Sequence, residues 1–147
     1  MRLAVLLCSC AIVAACGSSG PHRLSRHEYA RRADAICARY QRLTGALGPA
    51  SNVRDLAVVA GRTLRLLDKA TSELGRLRPP QNEQQLAGRW LDSLAILHRD
   101  VARLRDRARA NDLAGIRRIV APAQRHNRAS DRLASALGMK VCSSDRG

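Results

Sequence analysis

From Leu24 onward, apolar residues recur at steps of three and four, the period of an amphipathic helix, and no stretch alternates apolar with polar as a half-buried strand would. Tyr29, Ala33, Ile36, Tyr40, Leu43 and Leu47 form the first such stripe. It starts behind Leu24-Ser25-Arg26-His27-Glu28-Tyr29, where Ser25 and Glu28 have capping-box spacing and Leu24 and Tyr29 that of a hydrophobic staple. Gly45, Gly48 and Pro49 mark its end. A second helix is predicted from an N-cap at Ser51 or Asn52, with Leu56, Val59, Thr63, Leu66, Ala70 and Leu77 inward, and Pro79-Pro80 forces the break. The third carries Ala87, Trp90, Leu94, Leu97, Val101, Leu104 and Ala108 behind a second capping box, Asn82 with Gln85. After a turn and cap at Asn111-Asp112, the fourth carries Leu113, Ile116, Val120, Ala123, Asn127, Ser130, Ala134 and Leu137, and Gly138-Met139 fits a Schellman stop. Short connections between four helices predict an all-α, antiparallel up-down-up-down bundle over residues 24–142, with a disordered tail at 143–147.

The fourth helix is the irregular one. Pro122 removes a backbone hydrogen bond and is expected to kink it, and Gly115 weakens it by ~1 kcal/mol relative to Ala. Asn127 and Ser130 place polar groups on the inward stripe. Two readings follow: the polar groups bond locally and fix helix register, or Pro122, Asn127 and Ser130 line a pocket for a small ligand.

The first twenty residues have a different character. Met1-Arg2 precedes an apolar run from Leu3 to Val13 broken only by Ser9, and small residues follow, the pattern of an export signal. An apolar run of roughly 13 residues is shorter than the ~20 needed to span a hydrocarbon core, so cleavage is expected rather than a transmembrane anchor. Val13-Ala14-Ala15-Cys16 resembles the bacterial lipobox. That resemblance implies a signal peptide at 1–15, a diacylglyceryl group on Cys16 with a further acyl chain such as palmitate on its amine, and a place at the outer face of the cell membrane. Two acyl chains anchor a protein stably where one does not. Residues 16–23, including Gly17-Ser18-Ser19-Gly20, then read as a flexible tether.

Of the five cysteines, Cys8 and Cys10 leave with such a leader and Cys16 carries the lipid. Cys37 and Cys142 remain, and in an oxidising compartment they most simply form one disulfide closing a loop of about a hundred residues. Two separate buried thiols, or pairing of Cys142 between chains, are the alternatives. In an up-down-up-down bundle the fourth helix ends beside the start of the first, so the bridge requires the tail after Gly138 to fold back along helix one.

The formal charge of +14 becomes +13 when Arg2 leaves with the leader. Such an excess usually prompts a nucleic-acid reading. The export signal, the shortage of stacking aromatics (Tyr29, Tyr40, Trp90 and no Phe) and the scatter of the basic residues argue against nucleic acid as a partner. All 26 basic residues except Lys69 and Lys140 are arginine, a usage that a GC-rich genome produces without selection for binding. A tethered cationic domain would nevertheless be drawn to anionic lipid or wall polymer over ~8 Å. Arg118, Arg125 and Arg132 recur at sevens and so share a helix face. With Arg103 and Arg107 they make the candidate surface for an anionic partner, a simply solvated face being the plainer alternative.

Catalytic and metal patterns are missing from the sequence. It has no Gly-rich phosphate loop, no Gly-x-Ser-x-Gly elbow and no Cys-x-x-Cys. Acidic residues stand three positions from arginines, as in Arg65 with Asp68, Arg89 with Asp92, Arg103 with Asp106 and Arg128 with Asp131, the spacing of surface ion pairs. His98 and His126 reach a similar height across the last turn but on faces that do not meet, and His22 and His27 are expected to be solvated. Neither metal nor cofactor is expected, and the chain is read as not an enzyme.

Glu28-Tyr29, Ala33-Asp34-Ala35-Ile36-Cys37, Pro79-Pro80 and Leu137-Gly138-Met139-Lys140-Val141-Cys142 together resemble a group of small helical lipoproteins of high-GC Gram-positive bacteria. The resemblance spans the mature chain through few fixed residues. It implies the bundle, the bridge and the location, and no activity. The function expected from sequence is a lipid-anchored, extracytoplasmic binding or envelope-support module engaging an anionic lipid, a wall polymer or an envelope protein. A small-ligand carrier built near Pro122 is the alternative.

Overall fold

The computed structural model describes residues 22–143. The expected leader, the Cys16 lipidation site, the tether up to residue 21 and residues 144–147 of the tail lie outside the described residues. The described residues form an all-α, antiparallel up-down-up-down bundle of four helices: α1 (Arg26–Gly45), α2 (Val53–Gly75), α3 (Gln84–Arg109) and α4 (Leu113–Ala136). No described helix is long and apolar enough to cross a membrane.

Three helices start where a neighbouring side chain takes an amide that the helix leaves unpaired. Ser25 Oγ accepts from the Glu28 amide (3.2 Å), Asn52 Oδ1 from Asp55 (2.9 Å) and Asp112 from Gly115 (2.7 Å). The Ser25 box is half formed, because the Glu28 carboxylate turns to Arg31 and Arg32 (2.9 and 2.7 Å). These two guanidiniums hold its carboxyl below the usual range. The expected Asn82–Gln85 box does not cap α3. A 3₁₀ turn at Gln81–Glu83 leads into the helix without a side-chain cap, and Glu83 turns inward to meet Arg26 (3.1 Å). The α4 stop is the Schellman motif: Gly138 has φ +81°, its amide donates to Ser135 (2.9 Å), and Met139 donates to Ala134 (3.1 Å). Met139 is thereby folded into the core, 2% exposed. Pro122 lies within a continuous α4, and because it has no N–H the Arg118 carbonyl loses its partner four residues on.

The third helix is central, packing against both α2 and α4, and its stripe faces inward as expected. The α2 stripe is rotated by one position: Ala57, Ala60, Leu64, Ala70 and Leu74 are buried, while Leu56, Val59, Thr63 and Leu66 sit at the margin. Apolar residues cover much of α2, so two phases fit its pattern, and the small Ala57 and Ala60 favour close approach to α3. On α4, Leu113, Val120 and Asn127 are exposed, and His126 takes an inward place beside Ser130 and Ala134.

Where α1 lies decides the rest of the architecture. Its polar contacts end on Glu73, Glu83, Ala136 and residues 140–142, which all belong to one end of the bundle. Leu24, just before α1, donates to Arg78, just past α2 (2.9 Å), and Tyr40 donates to Glu73 (2.6 Å), so about 21 Å of α1 axis from Arg26 to Tyr40 faces only the last turn of α2 and the segment after it. α1 therefore leans across α2. Tyr29, Ala30 and Ala33 join Leu74, Trp90, Ala134, Leu137 and Met139 in the main core at that end, while Leu43 toward the C-terminus of α1 is 45% exposed.

The tail does fold back along α1. Cys37 and Cys142 are bonded, with Cα atoms 5.4 Å apart. One carboxylate guides the closure: Asp34 accepts from the backbone amides of Lys140, Val141 and Cys142 (2.8, 2.9 and 2.9 Å). Gln41 donates to the Val141 carbonyl (2.9 Å). Ser143, placed by sequence in the disordered tail, is part of this turn and donates to Met139 (2.6 Å).

Tyr29 gives the fold a limit at high pH. Its ring is fully buried, and burial, helped by the Glu83 charge, pushes its phenol up to about 12 from 10.0. The folded state thus holds the phenolic proton more tightly than the unfolded chain. This stabilisation is complete below pH 10 and is lost as pH rises through about 12, by up to roughly a hundredfold in the folding equilibrium. Alkaline titration followed by circular dichroism should show unfolding in this window. Tyr29→Phe should shift that transition to higher pH, and an unmoved midpoint would contradict the assignment.

Candidate functional site

Two surfaces of the α3–α4 pair carry the sequence candidates. The first is the arginine face. Arg103, Arg107 and Arg118 border one shallow depression of about 440 Å³ between the end of α3 and the start of α4, with Asp106 and Gly115. Arg125 and Arg132 are exposed on the next two heptads of α4. The structure thus brings three of the five candidates around one concavity and places the other two on the α4 face that carries Arg118.

Within the depression, arginine and carboxylate positions are set by local pairing. Arg107 donates to Asp112 (2.9 Å), whose other oxygen caps Gly115. That capping bond first, and then Arg107, hold the Asp112 carboxyl below its usual range. Arg103 turns to Asp100 (2.6 Å) rather than to the expected Asp106, which pairs with its neighbour Arg105 (2.8 Å). The reason is burial: Asp100 is 3% exposed, and a buried carboxylate needs partners more than an exposed one does. Arg118 makes no hydrogen bond among the described residues, and its charge acts on Asp112 through space.

Gly115 is tightly enclosed here, since a Cβ would overlap the Asp112 carboxylate and lie 2.7 Å from Arg107 Cδ. Helix propensity alone makes Gly115→Ala stabilising by ~1 kcal/mol. The structure reverses that sign, because the methyl group displaces the cap and its arginine. A net loss on the order of 1 kcal/mol is expected. Urea unfolding will decide, and a stabilised variant would show that the cap is dispensable.

The second surface is a groove of about 720 Å³. Leu97, Val101 and Leu104 of α3 form its floor, with Leu67 of α2 on one side and Ile119 and Ala123 of α4 on the other. It exists because α1 is drawn to the opposite end of the bundle by the tail and the bridge, leaving this end three helices thick. Of the candidate pocket residues, Asn127 lines it, while Pro122 and Ser130 do not. Ser130 is buried and bonded to Ser93 Oγ (2.9 Å), a helix-register contact between α3 and α4. Asn127 donates to Asp131 (2.9 Å).

Asp100 borders the groove, and its second oxygen accepts from His126 Nδ1 (2.7 Å). His98 Nε2 instead meets Asp68 of α2 (3.0 Å). The two histidines are therefore claimed by carboxylates of different helices. Among the described residues no three His, Cys, Asp or Glu side chains gather so as to hold a metal ion. Sequence reasoning missed the Asp100–His126 pair. The signal in the sequence was the similar height of His98 and His126 across the α3–α4 turn, which puts His126 level with the stretch of α3 that holds Asp100; the heptad phase expected for α4 turns His126 away, and the structure shows that phase rotated.

No family model, curated protein or solved structure matches the chain.

Proposed function

We propose that this chain is a lipid-anchored, extracytoplasmic module without enzymatic activity that engages an anionic partner through the α3–α4 arginine face. The leader pattern ending at Cys16 supports the anchor and location. The observation that carries the binding role is the convergence of Arg103, Arg107 and Arg118 on one depression, continued by exposed Arg125 and Arg132. Held at a membrane by its lipid, the domain presents this face within a Debye length of anionic headgroups or wall polymer, where each basic residue contributes about 1 kcal/mol.

The test uses the full chain with Cys16→Ser, so that electrostatics are read without the lipid. Binding to phosphatidylglycerol vesicles should exceed binding to phosphatidylcholine vesicles and fall steeply with salt. Replacing Arg118, Arg125 and Arg132 by Gln should weaken it by roughly a hundredfold, about 3 kcal/mol. Equal binding to both vesicle types, or no effect of the triple change, removes this reading. The anchor is tested separately, by intact mass of the natively processed protein: an unmodified Cys16 would overturn it.

A further inference from the structure

The groove calls for a different occupant from the arginine face. On α4, its lining residues Val120 and Asn127 stand two positions from Arg118 and Arg125, about 200° around a helix, so the groove opens away from the arginine face, with Ile119 and Arg128 at the border between them. The groove extends along α4 from Ile119 to Arg128, about 14 Å at the helical rise. Its floor is apolar, and Val120 on its margin is 45% exposed.

Size and charge narrow the occupant. At about 720 Å³ the groove falls within the ~300–1,000 Å³ usual for small-molecule sites. A second copy of this chain would bring another formal charge of +14 against the first, so self-association is opposed. Polar groups stand at one end: Gln124, Asn127 and Arg128 line it there. Arg128 is exposed at this end, one helical turn before Asp131. Asp100, the carboxylate that lines the groove, has its two oxygens taken by Arg103 and His126, so it does not pair with Arg128.

We propose that the groove binds a free single-chain anionic amphiphile, a medium- to long-chain carboxylate. The alkyl chain lies along Leu67, Leu97, Val101 and Ala123, and the carboxylate is paired with the Arg128 guanidinium. An alkyl chain removes the exposed apolar floor from water, and a guanidinium is the side chain best suited to hold a carboxylate through two parallel hydrogen bonds.

Calorimetric titration of the full chain with dodecanoate below its micelle concentration tests this. Saturable one-to-one binding is expected, with dodecanol bound at least tenfold more weakly. Arg128→Gln, a surface change, should bring dodecanoate down to the level of dodecanol without altering the melting temperature. Val120→Glu, at the exposed margin, should weaken dodecanoate at least tenfold, and backbone amide shifts on binding should centre on Val101 and Ala123. The proposal is overturned by unsaturable dodecanoate binding, by an Arg128→Gln variant that binds as tightly as the original, or by a dimer in sedimentation whose formation Val120→Glu abolishes. The two readings fail separately: Ile119 borders both surfaces, but the residues changed here, Arg128 and Val120, are not among Arg118, Arg125 and Arg132.

Discussion

Replacing either Cys37 or Cys142 by serine is expected to lower the stability of the fold by about 4–5 kcal/mol, the largest effect of any single change in this chain. The bridge joins residues 105 positions apart, so in the chain-entropy description it removes nearly the whole closure entropy of the unfolded domain. The native contacts around it do not depend on the sulfurs alone. Asp34 binds three consecutive tail amides, and Met139 is locked into the core by the Schellman turn. The serine variants should therefore keep the fold and the helical content while unfolding at lower urea. Their m-value should rise, because an uncrosslinked unfolded chain exposes more surface. Chemical reduction of the original protein should reproduce both changes. If reduction instead left the midpoint in place, the tail would be held by Asp34 and Met139, and the bridge would be secondary.

The same dependence explains the groove. α1 is the one helix tied through the tail to the core end, and its far half is left with Leu43 exposed. A bundle with α1 lying the full length of α2 would bury the floor formed by Leu97, Val101 and Leu104. The Asp34 carboxylate, the Cys37 bridge and the Arg26–Glu83 contact all pull the other way. The groove is thus a consequence of where the tail is fastened, which links the chain's most stabilising feature to its most accessible apolar surface.

Features determined within a few residues were legible in the sequence. Ser25, Asn52 and Asp112 cap the helices expected of them, and Gly138-Met139 makes the expected stop, because each depends on hydrogen bonds spanning only a few positions. Features determined by distant partners were not. Asn82 fails as a cap because Glu83 is held by Arg26, across 57 positions of chain. The α2 phase was ambiguous because its apolar residues cover much of its circumference, and packing on α3 chose the small Ala57 and Ala60. His126 lies inward and Asn127 outward because the buried Asp100 on another helix needs a donor. That last rotation moved the expected pocket: Pro122 and Ser130 leave it, Asn127 stays, and the space opens between three helices instead of beside a kink. Arg118, Arg125 and Arg132 share a face of α4 in any case, since recurrence at sevens puts residues on one face whatever the bundle does around them.

Trp90→Ala is the second large prediction, with an expected loss of about 3–5 kcal/mol. Trp90 is 1% exposed and the largest side chain in the core, where it meets the first half of α1, the end of α2 and the end of α4. Its removal opens a cavity at the junction of all four helices. The indole carries a cost of its own, because Nε1 is buried without a hydrogen-bond partner among the described residues, as are Tyr29 Oη and Glu83 Oε2. An unpaired buried donor costs roughly 1–3 kcal/mol. Trp90→Phe therefore separates the two contributions: it keeps most of the packing volume and removes the unpaired N–H, so it should lose only about 1–2 kcal/mol. Urea unfolding of both variants gives the comparison. Equal losses for Phe and Ala would mean that the indole N–H forms a bond that the folded core depends on, and the case for Trp90 as a purely apolar keystone would fail.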